Sequence, residues 1–211
     1  SGKSTLINLI PRFFDVTDGA IRIGNIDIRD VKQHDLRSRI GYIPQKATLF
    51  SGTIESNLRY ADENATDSTI ENALEVSQAK EFVSKMPSGI EEPISQGGTN
   101  VSGGQKQRLS IARALVKNAD IYIFDDTFSA LDYHTDALLR EALNKMVKEK
   151  HSTVFIVAQR ISSIMHADKI IVLDQGKIVG NGTHAELMKN CPVYQEIAYS
   201  QLSRKELAVN E

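Results

Sequence analysis

Residues Gly2-Lys3-Ser4-Thr5 form the closing half of the pattern G-x-x-x-x-G-K-[ST]. In that pattern backbone N–H groups cradle phosphates, the Lys reaches the β- and γ-phosphates, and the Ser hydroxyl meets Mg²⁺. The four residues open a helix, where free N–H groups and the helix dipole favour an anion. Alone, so short a match arises easily by chance. A second group, Ile121-Tyr122-Ile123-Phe124-Asp125-Asp126, is an apolar run ending in two carboxylates. It has the form of a buried strand whose C-terminal tip carries a Mg²⁺-organising Asp, and in open α/β sheets ligands sit at that end of the strands. Read alone it is a core strand with an Asp-rich turn; downstream of a GKST helix start, the phosphate-site reading is the better one. A third group, Ser102-Gly103-Gly104-Gln105, puts two glycines and a hydroxyl at a helix start. Read alone it is an ordinary helix N-cap, though backbone amides there can approach a phosphate closely.

The elements that must position these groups are read from periodicity. A helix from about Ser4 to Ile10 is stopped by Pro11, and 20–28 reads as a hairpin turning at Gly24-Asn25. A strand over 39–43 ends at Pro44-Gln45. From Thr53 to Met86 the pattern is helical, with Ile70, Ala73, Leu74 and Ser77 at the i, i+3, i+4, i+7 spacing. The Gly97-Gly98 loop leads to a helix capped by Ser102 and running to about Val116. Next come strand 121–124, a helix over about 135–148, strand 153–157, a short helix, and strands 169–173 and 177–180. The last two are joined by Asp174-Gln175-Gly176, and helices from about His184 and Pro192 close the chain. Apolar strands alternating with helices imply a parallel sheet buried on both faces. The fold class expected is α/β, a parallel-sheet core with a small antiparallel β part and a helical subdomain.

Composition narrows the partners. The 25 Lys+Arg against 27 Asp+Glu leave a net charge of −2, which argues against a nucleic-acid partner. The apolar runs, such as 154–158 and 170–173, are far shorter than the roughly 18 residues a membrane span needs. One cysteine, Cys191, cannot build a disulfide framework and fits a reducing compartment. Cys191 is expected at a buried or half-buried helix end, Tyr194 and Tyr199 in helix packing, and the run 148–150 at a solvated helix end. His34, His134, His151, His166 and His184 lack metal-ligand spacing and are expected in surface or capping roles. The chain begins without Met, inside the first motif, which reads as a cut.

Val101-Ser102-Gly103-Gly104-Gln105-Lys106-Gln107-Arg108 resembles the signature motif of ATP-binding cassette (ABC) proteins, and Ser129-Ala130-Leu131-Asp132 matches that family's D-loop. Gln45, after Gly41-Tyr42-Ile43-Pro44, looks like its Q-loop. With the partial Walker A at Ser1 to Thr5 and the Walker B strand ending at Asp125, the motifs run in family order from Ser1 to Gln159. The runs 49–54 and 182–187 resemble nucleotide-binding domains of exporters. The resemblance implies a P-loop NTPase domain over 1–211 lacking its N-terminal strands, with a core over about 1–45 and 116–211 and a helical subdomain over about 46–115. It implies ATP binding through Ser1, Gly2, Lys3, Ser4, Thr5, Gln45 and Asp125, with Mg²⁺ on Ser4, Gln45 and Asp125. Ser102 to Gln105 would contact ATP held by a second nucleotide-binding domain. The other implied partners are transmembrane domains, at the cytoplasmic face of a membrane, and the aromatic that stacks on adenine would lie upstream of Ser1.

Two positions depart from the family pattern. Asp126 stands where the catalytic Glu is usual, and Gln159 where the switch His is usual. A carboxylate one methylene shorter falls back by about an ångström, a misplacement that can cost on the order of 100-fold. Gln can donate and accept hydrogen bonds but cannot carry a proton. Gln96 replaces a usual Glu before the signature. The combination resembles one subunit of heterodimeric exporters, in which one composite site binds ATP but hydrolyses it poorly. Drug or lipid export is the expected task. The rivals are a non-transporter cassette acting on ribosome or DNA and a catalytically silent regulatory module.

Overall fold

A computed structural model describes residues 2–202. The chain forms α1 (Lys3–Asn8), β1 (Arg22–Ile23), β2 (Ile26–Asp27), α2 (Gln33–Ser38), β3 (Ile40–Ile43), β4 (Gly52–Thr53), α3 (Ile54–Arg59), α4 (Asp67–Val76) and α5 (Lys80–Ser84). It continues through β5 (Pro93–Ile94), α6 (Gly103–Val116), β6 (Ile121–Asp125), α7 (Tyr133–Lys150), β7 (Thr153–Val157), β8 (Ile170–Asp174), β9 (Lys177–Gly182), α8 (His184–Asn190) and α9 (Pro192–Gln201).

All five residues of β6 are buried, and the strand lies between β3 and β7 in a parallel sheet. Ile43 pairs with Phe124 and Phe124 with Ile156, so the three strands end together. The residues just past each strand therefore emerge at one edge: Gln45 after β3, Asp126 after β6, Gln159 after β7. The two-residue alternation of a strand splits β6 between two cores. Tyr122 and Phe124 join the helical part through Leu58, Ile70, Leu109 and Ile111, whereas Ile121 and Ile123 meet Ile7, Ile28, Leu36 and Val157. Each fully buried side chain of this size stabilises by about 1.5–3 kcal/mol.

The helical spacing over 53–86 becomes α3, α4 and α5, and Ile70, Ala73, Leu74 and Ser77 are all buried. Thr53 and Thr66 cap α3 and α4 by accepting from Ser56 N and Thr69 N. Helix α6 packs against α3 and α4 and also against β3, so one rigid element joins the helical part to the sheet. The predicted hairpin at Gly24-Asn25 is the β1–β2 pair. Strands β8 and β9 pair antiparallel around Gln175 and Gly176, both at positive φ. With α8, α9 and a 3₁₀ turn at Ile161–Ser163 they enclose a separate cluster of Ile161, Ile170, Val172, Leu187, Cys191, Tyr194, Ala198 and Leu202.

Two expectations need correction. Tyr194 is buried in helix packing, but Tyr199 is 60% exposed, because α9 presents that side to solvent. His184 is neither surface nor cap: it is 5% exposed, with Nδ1 2.7 Å from the Tyr194 hydroxyl. Thr183 makes the cap instead, and the first turn of α8 faces α9. Burial, with a smaller push from His166, lowers the His184 pKa. His34, His134 and His166 are exposed, and His151 is the left-handed C-cap of α7.

Candidate functional site

A cavity of about 180 Å³ opens at the carboxyl edge of the parallel sheet, lined by Gly2, Lys3, Ser4, Thr5, Gln45, Asp126, Val157 and Gln159. Gly2 precedes α1 with φ 86°, a left-handed conformation that glycine adopts without Cβ strain, and so directs the start of α1 at the strand ends. Ser4 Oγ donates to Asp125 Oδ1 at 2.9 Å. Ser1 lies outside the described residues.

Asp126 is the most constrained residue of the group. It sits at φ 47°, ψ 30°, a left-handed conformation that Asp tolerates better than most side chains. Its N–H donates to Val157 O at 3.0 Å, and its carbonyl accepts from Ser129 Oγ at 2.7 Å. One carboxylate oxygen, Oδ2, accepts from Gln45 Nε2 at 3.1 Å and from Gln159 Nε2 at 2.7 Å. An ionised carboxylate only accepts, so both amides turn their nitrogens toward it. The three residues that sequence reasoning put in one site, 81 and 33 positions from one another through Asp126, thus share a single oxygen.

Sequence reasoning passed over Tyr42 and Asn8. The Tyr42 hydroxyl lies 2.9 Å from Asn8 Oδ1 and 3.5 Å from Asp125 Oδ2. Burial first, and the Asp125 charge second, push its pKa up to about 12. The available signal was a polar-tipped aromatic inside the otherwise apolar strand that leads to Gln45.

The donors suit Mg²⁺. Ser4 Oγ and Asp125 are hard oxygens in contact, and Gln45, with its nitrogen committed to Asp126, keeps a carbonyl oxygen. Among the described residues no group of three or more His, Cys, Asp or Glu could hold a metal by itself. Mg²⁺ needs no such cage, because it takes one or two protein oxygens and completes its shell with phosphates and water.

The signature residues lie elsewhere. Ser102 caps α6 and forms a capping box with Gln105: Ser102 Oγ accepts from Gln105 N at 3.2 Å, and Gln105 Oε1 from Ser102 N at 2.9 Å. A Cβ at Gly103 would meet nothing within 4 Å, and one at Gly104 only Ala130 O at 3.9 Å. Neither glycine has positive φ. Nothing among the described residues therefore requires glycine at these positions. Of the D-loop residues, Ser129 touches Asp126, Leu131 is buried, Ala130 is exposed, and Asp132 caps α7 through Thr135. Ser129 is the bond that links this loop to the cavity.

Comparison with known proteins agrees with these motifs. Residues 1–129 match the family described as ABC transporter. An ABC transporter ATP-binding protein of Mycobacterium tuberculosis is 48% identical over 204 residues, which is 95% of this chain and 34% of that protein. A Bacillus subtilis protein that bears the name of a multidrug export ATP-binding/permease protein is 45% identical over 187 residues, covering 89% of this chain and 32% of its own length. Among solved structures, that of a bacterial Atm1-family ABC exporter with ATP bound superposes with a TM-score of 0.91 at 35% identity, over 96% of this chain and 35% of that chain. The chain spans about a third of the length of these relatives.

Proposed function

The chain belongs to the ABC transporter family, as its ATP-binding domain, and we propose that it is the ATPase motor of an exporter whose own composite site turns over slowly. ATP would lie against Gly2 to Thr5 and Gln45, sandwiched by a second nucleotide-binding domain. Ser102 to Gln105 would in turn complete the partner's site. Ser4, Asp125 and Gln45 would hold Mg²⁺, which would supply charge neutralisation on the phosphates. The whole protein would add transmembrane domains, place this domain at the cytoplasmic face, and export a drug or lipid. The name of the B. subtilis relative supports the drug reading. The core over about 1–45 and 116–211 would carry the nucleotide, and the helical part over about 46–115 would carry its movement to the membrane.

One observation carries the reading of slow turnover. One carboxylate oxygen of Asp126, Oδ2, already accepts from two amides, Gln45 at 3.1 Å and Gln159 at 2.7 Å. An oxygen so occupied is poorly disposed to take a proton from water, and neither Gln can relay one. The site is built to hold nucleotide rather than to cleave it. Gly103 and Gly104, which nothing among the described residues requires, support an external ligand at the other end.

The test is ATP turnover in the full-length complex with the partner's catalytic carboxylate disabled. Asp126→Glu combined with Gln159→His should raise the rate by on the order of tenfold or more, within the range a placed general base contributes. Each change alone should do little, because residues acting as a unit are non-additive. If the double change adds nothing, Asp126 and Gln159 are not what slows this site.

A further inference from the structure

The segment that carries Gln159 belongs to neither a strand nor a helix: 158–160 lie between the end of β7 and the 3₁₀ turn at Ile161–Ser163. Its backbone polar groups therefore need partners from outside regular structure. The last residue of α9 supplies one of them, and one for the N–H that opens the 3₁₀ turn, while Arg160 O accepts from Ser163 N. Gln201 Nε2 donates to Gln159 O at 2.8 Å, and Gln201 Oε1 accepts from Ile161 N at 2.8 Å. One side-chain amide thus substitutes for a peptide unit of a neighbouring strand, across 42 and 40 residues of sequence.

Both ends of this bridge are anchored. Ile161, Tyr194, Ala198 and Leu202 are buried in one cluster, so α9 is fixed beside the segment it holds. Beyond Gln159 O the path continues through its side chain, whose Nε2 reaches Asp126 Oδ2 at 2.7 Å. Two amides in series therefore connect the end of α9 to the carboxylate at the nucleotide cavity. Arg160, between the two bonded positions, lies over the Tyr133 ring at 5.7 Å, which steadies the segment from the α7 side.

We propose that Gln201 is a positioning residue for the switch position, setting the backbone from which Gln159 holds Asp126 and thereby making the last turn of α9 a determinant of turnover at this site. This rests on the site reading above for its effect on turnover, but not for its geometry. The chemistry requires an amide. Glu keeps the acceptor for Ile161 N but turns a second oxygen against Gln159 O; Met keeps the length and offers neither bond; Asn is a methylene too short. Because Gln201 is itself exposed, these substitutions open no cavity.

The test uses the full-length complex and two readouts. The first is backbone hydrogen exchange over 159–163. Gln201→Met should speed exchange at Ile161 on the order of tenfold, whereas Gln201→Glu should leave Ile161 protected. The second is single-turnover hydrolysis with the partner's catalytic carboxylate disabled and ATP affinity measured separately. Gln201→Met should change the rate roughly three- to tenfold, with ATP affinity and Tm held within twofold and about 2 °C respectively. That effect should vanish in a Gln159→Ala background, since Gln201 acts through Gln159. Unchanged exchange at Ile161 in Gln201→Met overturns the bridge whatever the turnover does. An effect that persists in the Gln159→Ala background, or a fall in Tm that accounts for it, overturns the positioning role and leaves the site reading intact. A Gln159→Ala change that itself leaves turnover untouched overturns the role of Gln201 in turnover and leaves the site reading to the double change at Asp126 and Gln159.

Discussion

At the carboxyl ends of β3, β6 and β7 the polar side chains are bonded to one another across long stretches of sequence, while at the start of α6 they are bonded only within their own turn. Ser4 meets Asp125, and Gln45 and Gln159 meet Asp126, all across tens of residues. Among the described residues the Ser102 and Gln105 side chains bond only within their own turn, and of the two glycines between them Gly103 faces open space while Gly104 comes no closer than 3.9 Å to Ala130 O. The first region is assembled by the fold and its geometry is internal. The second is a local cap whose glycines answer no demand seen among the described residues, which fits the proposed contact with a partner's nucleotide. A substitution in the first region should therefore be felt in the fold or at this chain's own nucleotide, and one in the second only in the complex.

The largest expected effect comes from the outward region. Ser102→Arg in the full complex should cut ATP turnover on the order of 100-fold, the scale of losing a donor to developing charge, whereas Asp126→Asn should change it less than about threefold. ATPase rates of the two variants, purified side by side, test this; equal losses would mean that the two sites of the complex are functionally alike.

Two glycines sharpen the same contrast. A Cβ at Gly41 would stand 2.7 Å from the fully buried Tyr122 ring and 3.2 Å from Ala114 O. Gly41→Ala should therefore cost about 1–3 kcal/mol of stability by overpacking, read as a lowered denaturant midpoint. Gly103→Ala meets open space and should leave the midpoint unchanged, yet lower turnover of the complex by roughly tenfold. A stability loss at Gly103, or none at Gly41, would break the division between internal and outward regions.

The smallest effect concerns the internal region at alkaline pH. The Tyr42 hydroxyl is held neutral by burial and by Asp125, with its pKa raised to about 12. Tyr194 is likewise raised to about 12 by burial. A tyrosine with a raised folded pKa contributes stability that is fully present below its unfolded value near 10 and is lost as pH rises toward 12. Tm should hold to about pH 10 and then fall, and Tyr42→Phe should soften that fall. Tm measured against pH, with tyrosinate absorbance recorded in parallel, checks the sign. An unaltered pH profile in Tyr42→Phe would detach Tyr42 from the site.

The secondary structure was legible because its signals are local. The periodic run at Ile70, Ala73, Leu74 and Ser77, the Ser102 cap, the turn at Gly24-Asn25 and the buried strand ahead of Asp125 each depend on neighbours a few residues away. Tyr199 and His184 misled for the opposite reason. Their environment is decided by which side of α9 and of α8 meets a neighbour, and a short helix near a chain end carries too few apolar positions to show its buried side.

Residue type and spacing alone picked out a candidate phosphate-cradling helix start and a strand ending in two carboxylates, and the family resemblance added the signature, the order of the motifs and the departures at Asp126 and Gln159. Only the tertiary structure decided that Gln45 and Gln159 converge on the same oxygen of Asp126, that Asp126 is held in a left-handed turn by Val157 and Ser129, and that Gln201 bonds Gln159 O and Ile161 N from the last turn of α9. The reason is one of range. A motif is read along the chain, where a few ångströms separate successive residues, but a shared oxygen is a coincidence in space, and it exists only because parallel strands in register bring their carboxyl ends to a common edge.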